Sequence, residues 1–297
     1  PLRVPTVISG KSTDKGEFAK RPTPNDPDTI VSEYRLSDQE DAQKAVQLAK
    51  AAFPAWSHTP VESRARLLEK LADTLERDRF DLAALQVHEV AKPWGEADAD
   101  VCEAIDFCRY YAREARRLGS GFRVGHSPGE VSIYQYLPKG VAAVIAPWNF
   151  PLAILTGMTA ASVVTGNTAI IKPAEQSSAI GFALFQHMQE VGFPKDVVHF
   201  LPGRGEVVGE ALTSHPDVSL VCFTGSKDVG LNILQKAGPT NSNQKMVKTC
   251  IIEMGGKNAI IVDSDADLDE AVAVVVYSAF GFQGQKCSAS SRVIVVE

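Results

Sequence analysis

The segments TAIIK at residues 168–172 and VSLVCF at residues 218–223 decide the fold class, because each is a continuous run rich in β-branched and apolar residues. Runs of this kind indicate strands that are buried on both faces of a sheet. Strand patterns alternate with helical patterns along this region, at 168–172, 177–191, 197–201, 204–213, 218–223 and 227–237. Alternation at this spacing predicts parallel βαβ units. We therefore predict an α/β fold with helices flanking a Rossmann-like parallel sheet.

Further patterns extend this region on both sides. Strands at 248–252 and 259–263 and a helix at 267–280 follow it, and four helical patterns precede it, the first opened by a capping box of Ser37 and Glu40. Val131–Leu137 alternates like a strand and turns through Pro-Lys-Gly into Val141–Ala146, which predicts a hairpin. We divide the chain into one α/β domain at 1–262, with a protruding hairpin at 122–140, and the beginning of a second α/β domain at 263–297.

Composition excludes several classes of protein. Acidic residues outnumber basic ones, 36 against 30, and the net charge of -6 argues against nucleic-acid binding. Apolar runs such as 141–147 are far shorter than the roughly 20 residues of a membrane span. Five cysteines without a paired pattern are typical of a reducing compartment, so we expect a cytosolic or organelle-matrix protein. Cys102 and Cys108 lack nearby histidines, so we predict no metal site.

Three successive strand ends carry polar, turn-forming sequences: KPAEQ at 172–176, PGRGE at 202–206 and TGSKD at 224–228. Ligands of open parallel sheets bind at the carboxyl ends of strands, where the first amides of the following helices can receive an anion. A carboxylate at Glu175 would accept from ribose hydroxyls and repel a 2′-phosphate, which favours NAD over NADP. Each loop alone is also an ordinary turn and cap. The GxGxxG fingerprint is absent, so the prediction depends on the three loops together.

Three residue types suited to covalent catalysis also stand at strand ends. Cys287 lies in GFQGQKCSASSR at 281–292, where backbone amides and Lys286 could stabilise a thiolate nucleophile. Glu253 follows a strand and could act as a general base, and Asn149 in PWNFP could donate to an oxyanion. Taken singly, the cysteine could be a small core residue and the glutamate a solvated turn residue.

Together these segments resemble the aldehyde dehydrogenase superfamily. PWNFP, KPAE, FTGSKDVG, EMGGK and GQKC occur in the order and at the spacings of that family, and the resemblance covers nearly all of residues 1–297. It implies that Cys287 is the nucleophile and that Glu253 activates the water that releases the product. It also implies that the Asn149 side chain and the Cys287 amide form the oxyanion hole.

The resemblance further implies NAD as the cofactor and an aldehyde as the substrate. It makes 1–262 the NAD-binding domain and 263–297 the beginning of the catalytic domain. Residues of the strand-end loops are thereby assigned to cofactor binding: Pro147, Trp148, Lys172, Glu175, Gly205, Gly209, Gly225 and Ser226. The implied reaction proceeds through a thiohemiacetal on Cys287, loss of hydride to the nicotinamide, and hydrolysis of the resulting thioester.

Within the superfamily, GFQGQKCSASSR and EAIDFCRYYAREA at 103–115 resemble the branch that oxidises glutamate γ-semialdehyde, also called pyrroline-5-carboxylate dehydrogenase. That reaction completes the breakdown of proline to glutamate, and some members of the branch are fused to a proline dehydrogenase domain. The branch implies that Ser288 and Phe150 contact the substrate. The hairpin at 122–140 resembles the oligomerisation flap of the family, which implies a homo-oligomer.

The family pattern continues beyond Glu297, so we expect a truncated sequence that is poorly active alone. The motifs leave more than one function open. The chain could act on another aldehyde or semialdehyde, or it could be a nucleotide-binding module without catalysis. A cysteine hydrolase or acyltransferase is a weaker hypothesis, because none of the six histidines falls in a motif near Cys287.

Overall fold

The computed structural model describes residues 1–240 and 242–296. Its central sheet has seven strands, in the spatial order Thr249–Met254 (β12), Val218–Gly225 (β11), Val141–Ile145 (β8), Thr168–Lys172 (β9), Val198–Phe200 (β10), Thr6–Ile8 (β2) and Lys11–Thr13 (β3). The first five of these strands are mutually parallel, whereas β2 runs antiparallel to β10. The predicted α/β fold with a parallel sheet is confirmed.

Helices connect the parallel strands and precede them in the chain. The preceding helices are Gln39–Ser57 (α1), Val61–Arg77 (α2), Arg79–Val90 (α3) and Trp94–Gly119 (α4), and the connecting ones are Ala153–Val164 (α5), Ser178–Glu190 (α6), Glu210–Ser214 (α7) and Lys227–Ala237 (α8). Both β9 and α8 have the predicted bounds. The helix predicted at 204–213 is instead a π-helical turn, Gly205–Gly209, followed by the short α7.

Strand β9 shows how the sheet separates two apolar cores. Side chains of successive residues point to opposite faces of a strand, and all five residues of β9 are buried. Ala169 and Ile171 therefore join the core formed with α2, α4, α5 and α6, whereas Ile170 joins the core formed with α1, α7 and α8. A strand covered on both faces needs the continuous apolar sequence from which it was predicted.

A second, three-stranded sheet has the order Leu2–Val4 (β1), Asp26–Arg35 (β5) and Phe18–Thr23 (β4). The hairpin predicted from Val131–Leu137 into Val141–Ala146 is wrong, because the buried β8 pairs with β9 and β11 instead. The segment 122–140 does contain a small exposed hairpin, in which Phe122–Arg123 (β6) pairs with Ile133–Tyr134 (β7).

The last strands form a separate pair. Asn258–Val262 (β13) pairs in parallel with Ser290–Val295 (β14), and Leu268–Phe280 (α9) connects them. Because β13 leaves the seven-stranded sheet, we propose a domain boundary at residues 255–257 rather than after 262. The apolar side chains of α9 are exposed, with Val272 at 62% and Val276 at 52%. Glu297, where we predicted truncation, lies outside the described residues.

The capping box of α1 is shifted by one residue from the predicted box of Ser37 and Glu40. The Asp38 carboxylate accepts from the Asp41 amide at 2.9 Å, and the Asp41 carboxylate accepts from the Asp38 amide at 3.1 Å. Ser37 is instead buried, and its hydroxyl lies 2.6 Å from that of Thr6. Within the described residues, no helix has the length and apolar character needed to cross a membrane.

Glu89 near the end of α3 is fully buried and holds the start of α6. Its carboxylate accepts from the amides of Ala179 and Ile180 at 2.7 and 2.9 Å. Burial raises the pKa of Glu89 to about 7, although these two amides and Arg21 oppose the shift. The start of α6 therefore depends on a carboxyl group that changes charge near neutral pH.

We predict that Glu89 makes the protein less stable as the pH rises from about 4.5 to about 7. In this window the unfolded chain has lost the proton that the folded chain keeps, so the shift corresponds to roughly 3 kcal/mol. Glu89→Gln cannot titrate, so the free energy of unfolding of wild type minus that of the variant should fall across the window. Urea unfolding at several pH values measures it, and parallel curves would contradict the prediction.

Candidate active site

A pocket of about 580 Å³ opens at the carboxyl ends of β8, β11 and β12. Its walls also include the segment Gly284–Cys287, which arrives from the end of α9. Six of the predicted site residues line it: Pro147, Trp148, Asn149, Gly225, Ser226 and Cys287. The fold therefore brings the predicted nucleophile and the predicted oxyanion donor into one pocket.

Gly225 and Ser226 join β11 to α8 at the wall of this pocket. A Cβ atom on Gly225 would lie 2.6 Å from Cζ of Phe223, so this position needs glycine for space. Gly225 is the last residue of β11, where it pairs with Met254 of β12. The Ser226 hydroxyl accepts from the Val229 amide at 3.4 Å and caps α8, whose N-terminus therefore faces the pocket.

A second pocket of about 360 Å³ continues along α8, and Val229 lines both pockets. Glu175, Gly205 and Gly209 lie in its wall. The Glu175 carboxylate accepts from the Gly205 amide at 3.1 Å, which ties the loop after β9 to the loop after β10. The crevice therefore has two compartments joined at the first turns of α8.

Lys172 lies buried beside the second pocket. Its ammonium group donates to the Pro173 carbonyl at 2.9 Å, and a Cβ atom on Gly209 would lie 3.9 Å from its side chain. Burial lowers the pKa of Lys172 to about 8, although Glu175 and Glu206 oppose the shift. This wall therefore carries a desolvated cation and a carboxylate side by side.

Cys287 is exposed at the pocket, and two features of the surrounding backbone hold it there. The Asn258 side-chain amide donates to the Cys287 carbonyl at 2.7 Å. Upstream, Phe282 and Gln283 adopt left-handed backbone conformations, with φ of 49° and 53°. Non-glycine residues rarely adopt these angles, so the turn before the nucleophile is strained.

Asn149 is fixed by hydrogen bonds from both ends of its side chain. Its Nδ2 donates to the Gln285 carbonyl at 2.7 Å, and its Oδ1 accepts from the Phe150 amide at 3.1 Å. The side-chain amide therefore lies against the segment that carries Cys287. Nδ2 carries a second N–H, which can donate to a ligand oxygen without breaking the bond to Gln285.

We expected Lys286 to stabilise a thiolate at Cys287, but its ammonium group forms an ion pair elsewhere. Its ammonium group donates to Glu96 at 2.7 Å, and Glu96 also accepts from the Tyr277 hydroxyl at 3.2 Å. The side chains of Lys286 and Glu96 are mostly buried. Lys286 therefore ties the segment before Cys287 to the first turn of α4.

Four predicted site residues are not among those that line the two pockets, and one of them, Lys172, lies buried beside the second pocket as described above. Glu253 is exposed and directly precedes Met254, which lines the first pocket. The Phe150 ring packs against the ammonium group of Lys92, and Ser288 is exposed. The roles predicted for all of the site residues stay predictions. The described residues contain no cluster of three or more His, Cys, Asp or Glu placed to hold a metal ion.

Sequence reasoning missed a buried ion pair behind the pocket. Lys92 and Asp100 are both buried, and their Nζ and Oδ1 atoms lie 3.4 Å apart. One signal was available: Asp100 falls on the face of α4 that also carries the buried Ala97, Val101 and Ala104. A carboxylate among apolar residues at helical spacing indicates a buried partner.

The pocket that Asn149 and Cys287 line and the parallel sheet agree with one family model. The model described as the aldehyde dehydrogenase family matches residues 13–297. The chain belongs to the aldehyde dehydrogenase family. The family predicted from the five motifs is therefore confirmed.

Curated relatives of this family member carry the name of the predicted branch. The 1-pyrroline-5-carboxylate dehydrogenase of Geobacillus sp. (strain WCH70) is 43% identical over 293 residues, which are 99% of this chain and 57% of the relative. A protein of Bacillus subtilis (strain 168) named 1-pyrroline-5-carboxylate dehydrogenase 2 is 44% identical, with the same two coverages. The chain thus spans a little over half of the length of these relatives.

Solved structures of the family give the same correspondence. Proline utilization A from Bdellovibrio bacteriovorus, inactivated by N-propargylglycine, is 55% identical and superimposes with a TM-score of 0.98; the match covers all of this chain and 31% of that one. The 1-pyrroline-5-carboxylate dehydrogenase from Thermus with bound NAD is 45% identical with a TM-score of 0.96, over 99% of this chain and 57% of that one.

We predict that Cys287 reacts with an alkylating reagent at least about tenfold faster than the buried cysteines. Burial raises the pKa of Cys108 to about 12 and that of Cys222 to about 11, whereas Cys287 is exposed. Limited iodoacetamide labelling followed by peptide mass spectrometry measures the rates, and Cys287→Ser should abolish the fast phase. Equal labelling of Cys222 would contradict the prediction.

Proposed function

We propose that the protein oxidises an aldehyde with NAD, and that its substrate is L-glutamate γ-semialdehyde. One observation carries the proposal: Cys287 and Asn149 line a single pocket at the carboxyl ends of parallel strands, next to the N-terminus of α8. A soft nucleophile, an amide donor and an anion-binding helix end are the groups that such an oxidation requires.

The residues of the pocket divide the chemistry between them. The Cys287 thiolate attacks the carbonyl carbon of the aldehyde, which gives a thiohemiacetal whose oxyanion receives a hydrogen bond from Asn149 Nδ2. NAD, when bound, supplies the hydride acceptor that converts this adduct into a thioester. Glu253 then takes a proton from water, and the hydroxide attacks the thioester carbonyl, releases the acid and leaves the thiolate free.

NAD fits the chemistry of both compartments. The N-terminus of α8, capped by Ser226, suits the pyrophosphate, and Gly225 directly precedes this cap. In the second pocket, Glu175 suits the adenosine ribose hydroxyls, and buried Lys172 lies beside it. A carboxylate there opposes a 2′-phosphate, so this wall supports NAD over NADP. Gly205 and Gly209 leave room for the adenosine, and Pro147 and Trp148 adjoin the nicotinamide end.

The choice of aldehyde comes from the relatives and from the branch that the sequence resembles. Relatives at 43% and 44% identity are named 1-pyrroline-5-carboxylate dehydrogenases. We assign Ser288 to the substrate carboxylate and Phe150 to the substrate wall by the same resemblance. Another semialdehyde is the alternative that the same catalytic residues would serve.

The assembly and context of the protein are proposals of the same kind. The hairpin at 122–140 exposes apolar side chains, including Ile133 at 55% and Tyr136 at 58%, which supports a role in a homo-oligomer. Sedimentation of the chain with and without this hairpin tests that role. The likeness to proline utilization A supports a fused proline dehydrogenase domain. We retain a cytoplasmic, or mitochondrial matrix, location as a prediction from the unpaired cysteines.

We predict that Glu175→Gln lowers the preference for NAD over NADP by about tenfold, because the amide neither repels a 2′-phosphate nor accepts as strongly from ribose hydroxyls. Isothermal titration of the chain with each dinucleotide measures the two dissociation constants. Glu190→Gln, at an exposed ion pair with Arg77, serves as the control. An unchanged ratio in Glu175→Gln would remove this residue from the cofactor site.

Glutamate γ-semialdehyde should protect Cys287 from alkylation, because the thiohemiacetal removes the free thiol. Asn149→Asp keeps the size of the side chain but lacks the donor, so it should raise the half-protecting concentration by about tenfold or more. Asn243→Ala, an exposed substitution, should leave it unchanged. If NAD binds but no aldehyde slows alkylation, the chain is a nucleotide-binding module and the proposed oxidation fails.

A further inference from the structure

Lys92 occupies an unusual place for a lysine, because its side chain is completely buried behind the pocket. It stands between two helices: Ala91, with φ of 53°, ends α3 in a left-handed conformation, and Pro93 precedes α4. Both neighbours restrict the backbone, so the direction of the side chain is fixed at its root. Burying an ammonium group costs free energy unless it finds strong partners.

The partners of Lys92 belong to both loops that form the pocket. Its Nζ donates to the Asn149 carbonyl at 2.8 Å and lies 3.8 Å from the centre of the Phe150 ring. On the other side, the Phe282 ring centre is 5.3 Å away, and Phe282 belongs to the strained turn before Cys287. A cation between two aromatic faces is attracted to both. One ammonium group therefore contacts the loop after β8 and the loop before the nucleophile.

Asp100 completes this arrangement from the second turn of α4. Its Oδ1 lies 3.4 Å from Lys92 Nζ, and its Oδ2 accepts from the Leu152 amide at 3.2 Å, just before α5 begins. Burial raises the pKa of Asp100 to about 6 and lowers the pKa of Lys92, while each charge partly offsets the shift of the other. The pair thus fixes both ends of the segment from Asn149 to Leu152.

We propose that Lys92 is a positioning residue: by holding the Asn149 carbonyl and the Phe282 ring, it fixes the Asn149 amide relative to the Cys287 sulfur. The inference rests on the roles proposed above for Asn149 and Cys287. Lys92 itself is buried and is not among the residues that line either compartment of the crevice. Its effect is on the stability of the adduct, because a donor that is displaced by a fraction of an ångström stabilises an oxyanion poorly.

The test compares substitutions at two buried cations, Lys92 and Arg64. Lys92→Met keeps an unbranched apolar side chain but removes the charge, so we expect the half-protecting concentration of glutamate γ-semialdehyde at Cys287 to rise by at least about tenfold. Asp100→Asn retains an acceptor for the Leu152 amide and should raise it by about threefold. The dissociation constant of NAD should not change in either variant.

Arg64→Met is the matched control, because Arg64 is also buried and donates to a backbone carbonyl, that of Val164, at the far end of α5. It should lower the thermal unfolding temperature without changing the protection of Cys287. Equal protection in wild type and folded Lys92→Met, or an equal loss in Arg64→Met, would overturn the proposal. If Lys92→Met does not fold, unchanged protection in Asp100→Asn overturns it.

A second measurement separates this inference from the proposed function. Removing Lys92 should speed amide hydrogen exchange in residues 148–152 and 281–287 by about tenfold while leaving β9 unchanged. If the aldehyde fails to protect even the wild-type cysteine, the proposed oxidation fails, and hydrogen exchange alone decides whether Lys92 holds the two loops. Unchanged exchange in both loops means that it does not.

Discussion

The parallel pairing of β8 with β9 on one side and β11 on the other is the constraint on which the site depends. Parallel neighbours cannot be joined by a tight turn, so each connection must cross a face of the sheet, here as a helix. All strand ends of one kind then meet at one edge. Asn149 and Ser226, far apart in sequence, therefore line one pocket, and Glu175 lies in the wall of the adjoining one.

The site also needs a second unit, because Cys287 comes from the segment between α9 and β14 and not from the large sheet. Polar contacts join the two units: Asn149 donates to the Gln285 carbonyl, and Lys286 pairs with Glu96. Hydrogen bonds have directional requirements that apolar packing lacks. Joining the units through them fixes Cys287 relative to the sheet more narrowly than burial alone would.

The sequence predicted the elements whose signal is local, and it failed where the signal is not. The continuous apolar run predicted β9 with its observed bounds, because burial on both faces selects apolar residues along most of the strand. The sequence of β8 does not indicate which strands it pairs with, so the hairpin predicted from 131 to 146 was wrong. Motifs located Asn149 and Cys287, but the contacts of Lys92 are made with residues 57 and 190 positions away, which no spacing rule reaches.

The cost of burying a charge explains why Lys92 and the other buried charged residues each have polar or aromatic partners. Four of the buried charged residues of the fold are Lys92, Asp100, Glu89 and Lys172. Burial lowers the pKa of the two lysines and raises the pKa of the two carboxyl groups, which favours the neutral form of each. A buried charge that loses its partner destabilises a protein more than a missing pair does. Each of these residues is therefore bonded to neighbouring groups, and a substitution at one of them leaves a buried polar partner without its hydrogen bond or ion pair. Contacts of this kind suit the proposed reaction, which needs the Asn149 amide to be held beside the Cys287 sulfur.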